Sequence, residues 1–244
     1  NGFKYKKNLT INARNSGTLS RLILGLLIKA PLKIKLIGDK SLSKRDFSRV
    51  TIPLKKFGAK FYYKTKDKLP LSILGSKYTK GIKYLENKGS AQCKSCVMFA
   101  ALNSTGTTSI KAKKSRNHSE LLFKYLKVPT KIKKSKKYDF IDILKPKKIK
   151  PFNYQIPGDI SSSAFFMVLT TLSNKSKLLI KNVNINPSRA GVVKILKKMG
   201  AKILLTNQKK YRGEKIADIL IKSSNNLKAI NCPSKLNSSA IDEF

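Results

Sequence analysis

The sequence predicts an α/β fold assembled from a repeated unit, and three observations carry that prediction. The stretches GTLSRLILGLL from Gly17, SAQCKSCVMFAAL from Ser90 and SSSAFFMVLTTL from Ser161 each set small polar residues before an apolar run. Their expected helix starts, Thr18, Ser90 and Ser161, lie 72 and 71 residues apart. Arg45, Arg116 and Arg189, each leading into a second amphipathic stretch, lie 71 and 73 residues apart. Two separate landmarks that keep one period define an internal repeat.

The elements of each unit follow in order. After the first helix comes a short extended segment, KIKLIGD, TTSIKA or KLLIKNV. An arginine then leads into a second helix, in SKRDFSRVTIPLKKFGAKF, SRNHSELLFKYLKVPTKI and PSRAGVVKILKKMGAKI. Two strands complete the unit, which reads helix, strand, helix, strand, strand. In the third unit Val192, Val193, Ile195, Leu196 and Met199 recur at helical spacing, with Lys194, Lys197 and Lys198 on the opposite face. Gly200 and, at the matching place in the first unit, Gly58 are the expected helix stops. About 3.4 such units fit in 244 residues, and a chain that opens on Asn1 and stops just after IDEF reads as an internal fragment. The lysine-rich segment 131–159, with three prolines, is the expected crossing between two domains; an exposed hairpin within one domain is the alternative.

A formal net charge of +41 points first to a polyanion such as nucleic acid. The excess is lysine, however, spread without a basic arm through a chain rich in Ile, Asn, Leu and Ser, and it reads as solvated surface. The seven arginines carry more information, because a guanidinium grips phosphate or carboxylate with a fork that lysine lacks. No apolar run reaches membrane length, since Leu22–Ile28 is bracketed by Arg21 and Lys29, and no signal peptide opens the chain. With three unpatterned cysteines, the expectation is a cytoplasmic protein without a membrane partner. Cys93 and Cys96 have the C-x-x-C spacing, but only Cys232 and His118 remain to complete a zinc site, and an apolar run follows them. Both read as core residues and the metal set as none, leaving Ser90 and Gln92 as the polar chemistry of that stretch.

Seven motifs, RNSGTLSR, GDKSLSKRDFSRVTIPLKKFGAK, GSAQCKSCVMFAALNSTGTTSI, SRNHSE, PGDISSSAFF, NPSRAGVVKILKKMGA and SSAIDEF, together resemble the 5-enolpyruvylshikimate-3-phosphate synthases in order and spacing, from about Asn15 to Phe244. The resemblance implies the enolpyruvyl transferase fold, an α/β fold of two lobes built from βαβαββ-type units, here incomplete at both ends. It places residues 1–156 in the first lobe and 157–244 at the start of the second, with the crossing near Pro157 to Asp159. The implied reaction moves the enolpyruvyl group of phosphoenolpyruvate onto the 5-hydroxyl of shikimate 3-phosphate, releasing phosphate, on the route to chorismate and the aromatic amino acids. It requires no metal or cofactor. Physically it demands that two anions be held against their repulsion while a hydroxyl loses a proton.

By motif, the resemblance assigns Gly17, Arg45 and Gln92 to phosphoenolpyruvate, and Ser90, Ala91, Gln92, Ser115 and Arg116 to shikimate 3-phosphate. Asp242 would orient the 5-hydroxyl and accept its proton. Gly17 would also lie against glyphosate, the family's inhibitor. Arg49 and Arg189 read as structural or interlobe residues, Asp159 as a helix cap, and His118 as a local hydrogen-bonding group. Arg14 stands where the family usually has glycine, and Asp46 where it usually has proline. The family's amino-terminal lysine and arginine, and its later glutamate, arginine and lysine, lie outside these 244 residues, so the segment alone is expected to be inactive, and the complete protein a monomer. Two other readings are the UDP-N-acetylglucosamine enolpyruvyl transferase, whose loop carries a reactive cysteine where this chain has Lys40, and a lysine-rich nucleic-acid-binding protein. The latter predicts clustered stacking aromatics, whereas the Phe and Tyr residues here sit mostly in apolar periodic segments.

Overall fold

A computed structural model describes residues 8–243; Phe244, which closes the SSAIDEF motif, lies outside them. The chain divides into two compact units. One comprises the residues up to Ser115 with Leu126–Ile149, the other Arg116–Tyr125 with the residues from Lys150 onward.

The first copy of the repeat runs β1 (Thr10–Asn12), α1 (Gly17–Leu26), β2 (Ile34–Ile37), the single turn α2 (Lys40–Ser43), α3 (Ser48–Lys56), β3 (Lys60–Tyr63) and β4 (Leu71–Leu74). The second runs β5 (Lys83–Glu86), α4 (Ala91–Ala101), β6 (Thr107–Lys113), α5 (His118–Tyr125), β7 (Thr130–Lys134) and β8 (Tyr138–Leu144). Their sheets are ordered β1-β2-β4-β3 and β5-β6-β8-β7, and in each the leading pair is parallel and the rest antiparallel. The third copy holds α6 (Ile160–Leu172), β9 (Lys177–Asn184), α7 (Gly191–Lys198), β10 (Lys202–Tyr211) and β11 (Glu214–Lys222), followed by α8 (Ser234–Asn237) and a 3-10 turn at Ile241–Glu243. Its sheet, β9-β11-β10, is antiparallel. The leading strand of this copy is reduced to one parallel bridge, Gly158 with Val183. The full unit is therefore βαβαββ, one leading strand more than the periodicity alone conveys.

Local sequence explains why the copies start and stop alike. Ser16, Ser90 and Asp159 each accept a hydrogen bond from the amide three residues on, Leu19 at 3.1 Å, Cys93 at 3.3 Å and Ser162 at 2.9 Å. This is N-cap chemistry, and it puts the helix starts within a residue of the expected ones. At the other end, Gly58 (φ +99°) and Gly200 (φ +100°) take the left-handed conformation that closes α3 and α7. Ala59 and Ala201 then donate to Leu54 and Leu196 at 3.3 and 2.9 Å, the six-residue closure of a Schellman motif.

In the first unit α1 and α4 pack on each other over a core that includes Leu24, Ile28, Leu36, Ile73, Val97 and Ile141, all buried. The crossing is so close that a Cβ on Gly25 would lie 2.2 Å from the carbonyl oxygen of Cys96. In the second unit Ile160, Met167, Val183, Ile219 and Ile221 anchor a separate cluster. Phe165, Leu169 and Leu172 of α6 stay exposed.

The units differ from the expected 1–156 and 157–244 in two respects. Helix α5 joins the second unit, packing on β11 through His118 and Glu214 at 2.7 Å. The change of unit comes at Ile149–Lys150, because Phe152 and Tyr154 stack into a ring cluster with Tyr125 and Tyr211. The first half of the lysine-rich segment is the β7–β8 hairpin. No helix among the described residues is long and apolar enough to cross a membrane.

Candidate active site

In the first unit the expected site residues gather at the N-termini of α1 and α4. Gly17 is the first residue of α1, buried, and the space where its Cβ would stand lies 3.0 Å from Nη1 of Arg45 and 3.2 Å from Nη1 of Arg21. Arg45 sits between α2 and α3, exposed; its backbone amide donates to the Leu42 carbonyl at 3.1 Å, and its guanidinium has no hydrogen-bond or ion-pair partner among the described residues. Its loop is held by Asp39, which caps α2 by accepting from Leu42 N at 2.7 Å and also receives Asn15 Nδ2. These bonds, the backbone one first, keep the Asp39 carboxyl below its ordinary range.

Arg14 and Asp46, the two departures from the family pattern, fit this frame. Arg14 is left-handed at φ +49°, the conformation glycine adopts without cost, and its backbone is fixed by Asn12 Oδ1 and by Asp39 N. The Asp46 side chain turns to Ser48, the first residue of α3, accepting from its hydroxyl at 2.6 Å and its amide at 2.8 Å. Those bonds to Ser48 hold the Asp46 carboxyl below its ordinary range.

Ser90 is the N-cap of α4, Ala91 its first residue and Gln92 its second. The loop before them is organised by Glu86, buried at 3% exposure, whose two oxygens accept from the amides of Lys88, Gly89 and Ser90 and from Arg49 at 3.2 Å. Gln92 is locked from both ends: its Oε1 accepts from Arg21 Nη1 at 2.7 Å, and its Nε2 donates to Thr18 Oγ1 at 2.9 Å. Arg21 further reaches the Asp46 carbonyl at 3.3 Å and lies over the Phe47 ring. Burial, with the charges of Arg45 and Arg49 nearby, pulls the Arg21 guanidinium below its ordinary range. Three guanidinium groups drawn together beside two helix N-termini form a strongly anion-attracting surface.

In the second unit Arg116 and Asp242, 126 residues apart in sequence, form an ion pair. Arg189 pairs with Asp159 at 2.7 Å and donates to Ser161 Oγ at 3.1 Å, while Ser161 donates to Glu243. Asp159 thus caps α6 and fixes Arg189. Ser115 ends the first stretch of the other unit, and its hydroxyl is buried without a partner among the described residues.

The model of the family described as EPSP synthase (3-phosphoshikimate 1-carboxyvinyltransferase) matches residues 1–234. The chain belongs to the EPSP synthase family. It is 43% identical over 241 residues to the 3-phosphoshikimate 1-carboxyvinyltransferase of Ruthia magnifica subsp. Calyptogena magnifica, and 42% identical over 241 residues to that of Hydrogenovibrio crunogenus. Each alignment covers 98% of this chain and 54% of the relative, so the chain spans about half the length of the curated relatives it matches. A solved EPSP synthase from Acinetobacter baumannii superposes with a TM-score of 0.82 at 37% identity, over 98% of this chain and 53% of that one. Family membership and the superposition agree with the α/β, enolpyruvyl transferase fold expected from the motifs.

Within this member of the EPSP synthase family, Arg21, Glu86 and Glu214 are structurally central residues that the motif reading passed over. No repeat position singles out Arg21: it stands five residues after the Ser16 cap, whereas Gln92 stands two after the Ser90 cap, the place that Thr18 takes in the first copy. Cys93 and Cys96 are buried free thiols, and burial pushes the Cys96 thiol far up. Cys96 lies at the α1–α4 crossing, which is a packing role for the C-x-x-C spacing.

Proposed function

We propose that the protein containing this chain transfers the enolpyruvyl group of phosphoenolpyruvate to the 5-hydroxyl of shikimate 3-phosphate, acting as a cytoplasmic monomer. The observation that carries the reading is the combination of membership in the EPSP synthase family with the unpartnered Arg45 set against Gly17. A guanidinium beside a helix N-terminus and a residue without a side chain suits a small anion such as phosphoenolpyruvate. Ser90, Ala91, Gln92, Ser115 and Arg116 are read as the shikimate 3-phosphate contacts, and Asp242 as the acceptor of the hydroxyl proton. The two compact units are read as parts of two lobes, with α5 belonging to the second.

The test is phosphate release from phosphoenolpyruvate by the family-length protein, with and without shikimate 3-phosphate, and identification of the enolpyruvyl product by mass spectrometry. Release that does not depend on shikimate 3-phosphate would refute the reading.

Gly17→Ala supplies a sharper check. Its φ is not left-handed, so alanine brings no backbone strain, and the methyl group would press on side-chain ends, Nη1 of Arg45 at 3.0 Å and Nη1 of Arg21 at 3.2 Å, with Leu42 Cδ1 at 3.9 Å. The expected result is a melting temperature within about 2 °C of the parent, the scale of a sub-kilocalorie change. The Michaelis constant for phosphoenolpyruvate should rise, and the inhibition constant for glyphosate, the longer occupant, should rise further. Equal losses for both, with a lowered melting temperature, would return Gly17 to a purely structural role.

A further inference from the structure

Outside the Arg45 cluster, a densely bonded polar group lies where α5 packs on the rest of the second unit. His118 Nδ1 and Glu214 Oε1 are 2.7 Å apart. Asn186 Nδ2 uses its two hydrogens on Glu214 Oε2 and on Asn117 Oδ1, both at 3.0 Å. Asn186 Oδ1 accepts from the amide of Ser188 at 2.9 Å and from its hydroxyl at 2.8 Å. Glu214 and Asn186 are 6% and 2% exposed, so these bonds form away from water. Burial alone would raise the Glu214 carboxyl, yet the bonds from His118 and the asparagines hold it below its ordinary range. An ionised carboxylate only accepts, which fixes the His118 proton on Nδ1. His118 Nε2 is buried without a hydrogen-bond partner among the described residues.

The network holds Asn117 and His118, and the residue directly before them is Arg116. Beyond the network, the β10–β11 turn sits on the same helix: a Cβ on Gly213 would lie 2.8 Å from the Leu121 carbonyl, and Arg212 donates to Tyr125 Oη at 3.1 Å. Helix α5 is thus clamped at both ends against β11 and its turn.

We infer that Glu214 is a positioning residue that acts through His118 and Asn117 to set the Arg116 guanidinium against Asp242. The inference rests on the proposed reading of Arg116 and Asp242 as the shikimate 3-phosphate side of the site. A guanidinium at the end of four side-chain bonds moves by an ångström for a small rotation of the backbone that carries it, and such misplacement costs a reaction up to about a hundredfold.

The experiment uses the family-length protein with Glu214→Gln, His118→Gln and His118→Asn, each measured for both Michaelis constants, for kcat, and for shikimate 3-phosphate binding by calorimetry. Glutamine at 214 keeps the shape, but its single carbonyl cannot accept from both His118 and Asn186. Its Michaelis and dissociation constants for shikimate 3-phosphate should rise about tenfold, with the phosphoenolpyruvate constant within about twofold of the parent. Asparagine at 118 places an N–H where Nδ1 stood, whereas glutamine extends past it. His118→Asn should therefore keep at least threefold more of the shikimate 3-phosphate affinity than His118→Gln. Should Glu214→Gln fail to fold, the His118 pair decides alone. Constants unchanged in all three variants, or falling alike for both substrates with no advantage of asparagine, overturn the positioning role. A parent protein that neither binds nor turns over shikimate 3-phosphate overturns the functional reading and this inference with it; a competent parent with indifferent variants overturns the inference alone.

Discussion

Arg45→Ala in the family-length protein is expected to lower kcat/KM for phosphoenolpyruvate by about 10- to 150-fold while leaving the melting temperature nearly unchanged. The size follows from losing a charge-assisted hydrogen bond to an anion, about 1.5 to 3 kcal/mol, at about 1.4 kcal/mol per factor of ten. The small stability effect follows from the surroundings. Arg45 is exposed and its side chain makes no hydrogen bond or ion pair with the described residues, so its truncation orphans no protein group. Relief of the repulsion that it exerts on Arg21 offsets part of any loss. Arg45→Lys should recover only part of the activity, because an ammonium retains the charge without the planar fork. Steady-state kinetics beside a thermal melt read both quantities, and unaltered kinetics would remove Arg45 from the site.

Gly25→Ala should destabilise the first unit at its helix crossing. The added carbon would stand 2.2 Å from the Cys96 carbonyl oxygen and 3.0 Å from its carbon, and both belong to backbone inside α4. Alanine gains about 0.8 to 1 kcal/mol of helix propensity over glycine. Overpacking a tight core costs about 1 to 3 kcal/mol, and more where only backbone can yield. The clash wins, and a net loss of about 2 kcal/mol is expected, read as a lower denaturant midpoint at constant slope. Gly106→Ala is the control. No atom lies within 4 Å of its Cβ position, and only its φ of +71° resists substitution, so its loss should be smaller. A midpoint for Gly25→Ala at or above that of Gly106→Ala would mean that the helices are free to separate. Separation would also stretch the Arg21–Gln92 bond across the same pair of helices, so activity should fall with stability.

Much of the fold is legible because the repeat states it three times. N-cap residues at Ser16, Ser90 and Asp159 and stop glycines at Gly58 and Gly200 act within a few residues of themselves, so local chemistry suffices to read them. The leading strand of the third copy is less legible, since a single bridge at Gly158 leaves no periodicity to detect. Helix α5 also looks, by sequence, like any second helix of the unit. Its partners, Glu214 and the 212–213 turn, come about ninety residues later, and no pattern within 116–125 announces them.

For the candidate site, the sequence by itself determined which residue types are available and in what register they recur: arginines at a period of 71 to 73 residues and glycine at a helix start. That follows from side-chain and backbone preferences acting over a turn or two. Only the tertiary structure decided which of these side chains stay open and which are bound. Arg45 is left without a protein partner beside Gly17, whereas Arg21 is spent on Gln92, Arg49 on Glu86, and Arg189 on Asp159. Arg116 meets Asp242 across 126 residues. The seven guanidinium groups are chemically identical in sequence; packing separates them, because each finds its acceptor, or finds none, only when elements remote along the chain come within about 3 Å.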